Sequence, residues 1–208
     1  IDDEQEEVFI IDVQRQTIID RIKTGEERDY EGVAFANGRI YVLESDGDIF
    51  IGQPQQKGKF QKTETTLSRK QDTEGLGYDS EKQRLLIASK VNKAKTVQLF
   101  QLSLESDDAE VVPWLSIPLK GKNGSFQRSS FRPSAIARHP ISGMVYLLSS
   151  ADHSLALMND QGKVIHVASL PESLYPQAEG LCFSPDGTLY ICNEGKNGVS
   201  NILVFSPN

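Results

Sequence analysis

Three segments of this chain share one pattern, a Glu-Gly pair leading into an apolar run, and their recurrence constrains the fold more than any other feature. They are Asp29-Tyr30-Glu31-Gly32-Val33-Ala34-Phe35, Asp72-Thr73-Glu74-Gly75-Leu76-Gly77-Tyr78 and Gln177-Ala178-Glu179-Gly180-Leu181-Cys182-Phe183. Each is followed by a turn and a second apolar run: Arg39–Leu43, Arg84–Ala88 and Thr188–Cys192. A fourth copy is degenerate, with Ser134-Ala135 in place of Glu-Gly ahead of Met144–Leu148. Glu31 to Glu74 is 43 residues, Glu74 to Ser134 is 60, and Ser134 to Glu179 is 45.

The runs are five to seven residues long, rich in Val, Ile, Leu, Tyr and Phe, and bounded by X-Gly dipeptides, which is the composition of strands joined by tight turns. The turn dipeptides are Asn37-Gly38, Asp46-Gly47, Ser142-Gly143, Gln161-Gly162 and Asp186-Gly187. No apolar 3.6-residue period is long enough for a core helix. Further strands are predicted at Ile49–Ile51, Thr96–Leu102, Ser154–Met158, Val164–Ala168 and Ile202–Phe205. About four strands per unit at a period near 40–50 residues predicts an all-β protein, a β-propeller of about five four-stranded blades. At 208 residues the chain reads as a single domain, residues 1–208. Its first blade is incomplete, because Val8–Asp12 and Thr17–Ile22 supply only outer strands, and the two chain ends are expected to meet.

Charge narrows the function classes. With 22 Lys+Arg against 29 Asp+Glu, a formal net charge of −7, the chain is no general binder of nucleic acid or anionic membrane. It has no run of about 18 apolar residues that would cross a bilayer. It carries no Gly-x-Ser-x-Gly elbow, P-loop or Cys-x-x-Cys. His139, His153 and His166 lack the close spacing of a metal-binding pair, and His139-Pro140 reads as a turn. Asp46-Gly47-Asp48 is a fragment of a calcium loop without the other ligands, and reads as a hairpin turn.

In a propeller the first strand of each blade lines the channel, so Glu31, Glu74 and Glu179 are expected to converge. Three carboxylates gathered away from water repel, and need a cation, basic partners or a proton. A hard divalent cation taking oxygen ligands, Ca²⁺, suits them, with Asp29 and Asp72 two residues before a glutamate and on the same face. The other solution is neutralisation by backbone N–H groups or by Arg28, Lys90 or Arg132. The repeat also places Glu44, Ser89, Ser149 and Asn193 at equivalent strand ends, followed by Ser45, Lys90, Ser150 and Glu194. Glu44, Lys90, Ser134 and Glu194 are therefore candidates for binding a small polar ligand. The segment Lys120–Arg132 carries extra length, basic residues and two Phe, as a rim loop for an anion or as an ordinary inter-blade loop. If Asp186-Gly187 makes a two-residue turn, Cys182 faces Ile191 and its sulfur lies on the opposite face from that of Cys192; two buried free thiols are expected rather than a bridge.

The Asp-x-Glu-Gly openings and the terminal stretch Glu179–Glu194 resemble the bacterial SdiA-regulated β-propeller family, over about Val8 to Phe205. The chain is more distantly similar to phytase-like esterases and gluconolactonase-type propellers, in which a Glu-Gly glutamate is a metal ligand. It departs from the pattern in lacking a blade-opening segment ahead of the acidic stretch Asp2–Glu7, and in Ser134-Ala135. The resemblance implies a non-enzymatic module of the bacterial envelope, periplasmic or lipoprotein-anchored with its export signal upstream of Ile1, that binds Ca²⁺ and presents a rim to a small polar ligand or envelope protein. The distant relatives imply the alternative, a metal-dependent hydrolase acting on a lactone or phosphate ester. Binding leads, because no histidine, asparagine or lysine is placed by sequence beside the channel carboxylates as a catalytic base.

Overall fold

The computed structural model describes residues 1, 6–25, 28–56, 58–90, 95–106, 110–121, 124–195 and 199–207. Among them every regular element is a β-strand, and the strands form five antiparallel sheets in chain order. Blade I has two strands, β1 (Glu7–Asp12) and β2 (Thr17–Lys23). Blade II has four: β3 (Tyr30–Ala36), β4 (Arg39–Glu44), β5 (Ile49–Gly52) and β6 (Gln61–Thr63). Blade III is β7 (Thr73–Asp79), β8 (Arg84–Ser89), β9 (Thr96–Ser103) and β10 (Val111–Pro118). Blade IV is β11 (Ala135–Arg138), β12 (Val145–Ser149), β13 (Ser154–Met158) and β14 (Val164–Ser169). Blade V is three-stranded, β15 (Ala178–Phe183), β16 (Leu189–Asn193) and β17 (Asn201–Phe205). Within each blade sequential strands pair, and the first strands of successive blades pack side by side, β3 on β7, β7 on β11 and β11 on β15. This is a β-propeller arrangement with an incomplete N-terminal blade, as the repeat predicts. Among the described residues no helix is long and apolar enough to cross a membrane.

Turn chemistry sets the hairpins. Asn37 and Gly38 both have positive φ, 51° and 75°, and join Ala36 to its partner Arg39, the two-residue turn that matches strand twist. Burial then follows from stacking blades face to face, and an apolar cluster fills each seam between neighbours. In β8 the run Leu85–Ala88 is buried throughout: Leu85 and Ile87 join the cluster shared with blade II, Leu86 and Ala88 the one shared with blade IV. A strand covered on both faces is apolar at every position, with no alternation. The equivalent β16 is covered on one side, and only Ile191 and Asn193 of its residues are buried.

Two strands escape sequence reading. β6 is the tripeptide Gln61-Lys62-Thr63, exposed at all three positions. β10 contains Pro113, which argues against a strand, but it lies at the outer edge of its blade with the register broken between Pro113 and Leu115, where proline is tolerated.

The hairpin of blade V corrects the cysteine expectation. Phe183 pairs with Leu189, so the loop has five residues, Ser184–Thr188, and Cys182 faces Tyr190 instead of Ile191. Cys192 is two residues beyond Tyr190, which puts both thiols on one face as diagonal neighbours. They are free; Cys182 keeps an exposed surface and Cys192 is half-buried, so they are not a buried pair. The protein around its sulfur, with Cys192 adding, pushes the Cys182 thiol up to about 11. Burial also raises the Cys192 thiol. The loop of Lys120–Arg132 is tied into the fold as well: Phe126 and Phe131 stack with centroids 4.3 Å apart inside the core between blades III and IV. Lys122 in that loop lies outside the described residues.

Candidate functional site

The Glu-Gly repeat has a precise backbone role. Pairing runs from Tyr30 to Gly32, from Thr73 to Gly75 and from Ala178 to Gly180, skipping Glu31, Glu74 and Glu179. Each glutamate is thus the extra residue of a bulge, which frees it from the ladder and re-aims its side chain. The glycine after it permits close approach. A Cβ on Gly32 would stand 2.9 Å from the backbone nitrogen of Leu76, and one on Gly75 2.9 Å from the Cα of Ala135, so successive inner strands touch backbone to backbone here. Glycine inside a strand is the sequence signal for such a bulge.

One backbone bond closes each bulge. Ser45, Lys90 and Glu194 donate their N–H to the carbonyls of Asp29, Asp72 and Gln177, each at 2.8–2.9 Å. In blade IV the Ser134 hydroxyl takes that place, accepting from Ser150 N at 3.2 Å and donating to the Ala178 carbonyl of blade V at 3.0 Å. The degenerate copy keeps the geometry and exchanges a carboxylate for an inter-blade bond.

The inner ends of the blades therefore gather carboxylates that feel one another. Burial, with the charges of Glu74 and Asp29 and a smaller share from Glu179, pushes the Glu31 carboxyl up to about 8, against the pull of Lys90. Glu74 is raised by burial and held back by its hydrogen bond to Lys90. Glu179 is pushed up to about 7, chiefly by the protein around its carboxyl, against a Gln177 hydrogen bond and with Glu194 and Glu74 adding. The Lys90 ammonium contacts Glu74 and lies 3.5 Å from Asp72 Oδ1. Burial works against its charge, and the hydrogen bond to Glu74 with the charges of Glu74, Asp72 and Glu31 outweighs that. Gln177 Nε2 donates to Glu179 Oε1 at 2.9 Å and also to Glu194, while its own amide oxygen is buried without a hydrogen-bond partner among the described residues. Gln177 occupies the place of Asp29 and Asp72 in the repeat. Sequence reasoning passed over it because it is not ionisable.

The other candidates separate from this group. Glu44 is buried and paired with Arg28 at 3.3 Å. Ser89 and Ser149, its equivalents, hydrogen-bond to local backbone. Arg132 is exposed. Asp46-Gly47-Asp48 forms the expected turn, with Gly47 N donating to Glu44 O and Asp48 N to Asp46 Oδ1. Glu44, Asp46 and Asp48 bring one oxygen each within 4.8 Å, a distance that Glu31, Glu74 and Glu179 do not reach as a trio among the described residues. Arg28 and Lys62, the latter 2.8 Å from Asp48, already offset two of its three charges. A shallow depression of about 380 Å³ beside it is lined by Asp46, Asp48, Leu67, Ser68, Arg69 and Lys70, and by none of the axial glutamates. His139 caps its turn, accepting at Nδ1 from Ile141 N and Ser142 N.

No curated protein matches the chain in sequence. Solved structures match it in fold. A protein of Thermus thermophilus described as an oxidoreductase (glucose dehydrogenase) aligns with 87% of this chain and 63% of its own at 15% identity, TM-score 0.52. One of Bacteroides uniformis assigned as a 6-phosphogluconolactonase aligns with 97% of this chain and 60% of its own at 13% identity, TM-score 0.54. Hydrazine synthase of Kuenenia stuttgartiensis aligns with 98% and 78% at 13% identity, TM-score 0.58. The chain thus spans less than two thirds of the length of the first two, and these likenesses concern the fold alone. The family model described as SdiA-regulated matches residues 2–197, taking in all three Glu-Gly bulges and Ser134 between them, and the chain belongs to the SdiA-regulated family.

Proposed function

We infer that this chain is a non-enzymatic binding propeller that holds a divalent cation, Ca²⁺ in first place, at the inner ends of its blades and presents the neighbouring rim to a small polar ligand or a protein partner. One observation carries the reading. Glu31, Glu74 and Glu179 lie among further acids, Lys90 is the base whose charge pulls on Glu31 and Glu74, and beside Glu179 the Gln177 amide oxygen is buried without a hydrogen-bond partner among the described residues. Carboxylates and an amide carbonyl are the ligands that Ca²⁺ takes, six to eight oxygens in adaptable geometry. The oxygens of the three glutamates do not lie within 4.8 Å of one another among the described residues, so one ion that takes all three draws them inward. Family membership supports a place in the bacterial envelope, periplasmic or lipoprotein-anchored, which the leader sequence of the full gene product tests.

A cation that binds only the folded state stabilises it by mass action, about 2.7 kcal/mol at 100 times the dissociation constant. For a chain of this size that raises the melting temperature by roughly 5–10 °C. Melts in Ca²⁺ and in chelator are expected to differ by that much, and Glu74→Gln to shrink the difference; coincident melts overturn the reading. Glu31 and Glu179, with carboxyls moved toward neutrality, favour a second reading, a metal-dependent hydrolase of lactones or phosphate esters, since a general acid or base works best with a pKa near the working pH. Turnover in a panel of such esters with Ca²⁺, Mg²⁺ or Zn²⁺, lost in Glu179→Gln, would put it first.

A further inference from the structure

We propose that Lys90 is a tethered competitor: its ammonium occupies the axial carboxylates in place of the divalent cation, and the cation binds by displacing it. The inference rests on the cation reading above and concerns how that site is regulated. The ammonium is in contact with Glu74 and 3.5 Å from Asp72, two of the carboxylates assigned to the cation.

Its place in the repeat separates this role from ordinary ion pairing. Lys90 and both of its partners, Asp72 and Glu74, belong to blade III, so the pair ties no blade to its neighbour as Arg138 and Asp79 do. The carboxylate does recur, as Glu31, Glu74 and Glu179, but the positions equivalent to Lys90 are Ser45, Ser150 and Glu194. One blade alone supplies a base. The Lys90 backbone is fixed by its bond to the Asp72 carbonyl at 2.8 Å, while its side chain remains 40% exposed. The flexible four-carbon stem can therefore swing into solvent without disturbing the blade. The exchange needs no covalent step: the ammonium leaves the carboxylates for water, and the cation takes the oxygens it vacates. Glu31 and Glu179 have no contact with the ammonium, so they remain as entry ligands while it is in place.

The test is calorimetric titration of the full chain with CaCl₂ at neutral pH. An opposite charge at such a distance changes the proton affinity of a carboxylate by about one to three pK units, roughly ten- to a thousandfold, and a divalent ion competing for the same oxygens feels no less. Lys90→Met is expected to tighten Ca²⁺ binding at least about tenfold. Loss of a merely structural contact would weaken it. Ser45→Lys, which places a second ammonium at the equivalent position of blade II beside Glu31, is expected to weaken binding in an otherwise unaltered protein, and serves if Lys90→Met folds poorly. Binding by Lys90→Met with none by the wild type also supports the competitor. If the wild type binds and neither variant changes its affinity, the competitor is overturned and the cation site stands. If neither wild type nor Lys90→Met binds, both are overturned.

Discussion

The two ends of the β7–β8 hairpin solve the same problem in opposite ways. At the inner-strand start, Asp72 and Glu74 share Lys90 with a wider group of carboxylates. At the far end, Asp79 accepts from Arg84 Nε at 2.8 Å and from Arg138 Nη1 of blade IV at 2.7 Å, Arg84 Nη2 reaches Asp160 at 3.2 Å, and Lys82 also pairs with Asp160. Arg138 takes Glu81 as well, and Arg84 lies over the Trp114 ring at 4.3 Å. Three carboxylates there meet three bases; hydrogen bonding to Lys82 and the neighbouring cations hold the Asp160 carboxyl below its ordinary value despite burial. Where this fold only needs to be held together, its acids are neutralised. The axial end keeps a surplus of acid instead, and that surplus is the ground of the cation-binding proposal.

The largest effect is expected at the balanced end. Arg84→Met leaves Asp79, which is 1% exposed, with Arg138 alone, takes from Asp160 one of its two bases, and costs about 3 kcal/mol, the low end for breaking a buried pair. Urea unfolding should show that loss; a cost under about 1 kcal/mol would erase the contrast, since it is the size of an exposed pair. The axial end should respond in the opposite direction. The Glu31 carboxyl, at about 8 when folded against 4.5 ordinarily, makes the folded chain bind more protons between those values. Stability from this group is therefore full below about pH 4.5 and falls as pH rises to about 8. In chelator, Glu31→Gln should gain on the wild type between pH 5 and pH 8 by roughly 2 kcal/mol, a shift of one unit being about 1.4 kcal/mol before solvent screening reduces it. Parallel stability curves for the two proteins would show that the surplus costs nothing. The smallest effect is at Ser134, where the axial position is neutral. Ser134→Ala removes the bond to Ala178 and the acceptor for Ser150 N, about 1 kcal/mol, with no change in pH dependence.

The blade count and the gathering of Glu31, Glu74 and Glu179 were legible because one residue type recurs at one strand position. The bulges were half legible, in the glycine that follows each glutamate. The Asp79, Arg84, Arg138 and Asp160 network was not, because it occurs at one seam and its members are up to 81 residues apart, from Asp79 to Asp160. The cysteine register was misjudged because Ser184 donates to the Thr188 carbonyl and Asp186 Oδ1 accepts from Thr188 N, closing a longer loop than Asp186-Gly187 alone requires. β6 gave no apolar signal at all.

Sandwiching of β8 between two blades has a consequence for how the molecule comes apart. Opening any segment must expose what its neighbours cover, so among the described residues the free energy of local opening is highest at blades II and III, where Ile40–Leu43 and Leu85–Ala88 are buried on both faces. It declines through blade IV to the two-stranded and three-stranded sheets, where β1 pairs only with β2 and β17 only with β16 among the described residues. The axial glutamates lie along that gradient among the described residues: Glu31 and Glu74 in the blades hardest to open, and Glu179 in a three-stranded sheet that opens more readily.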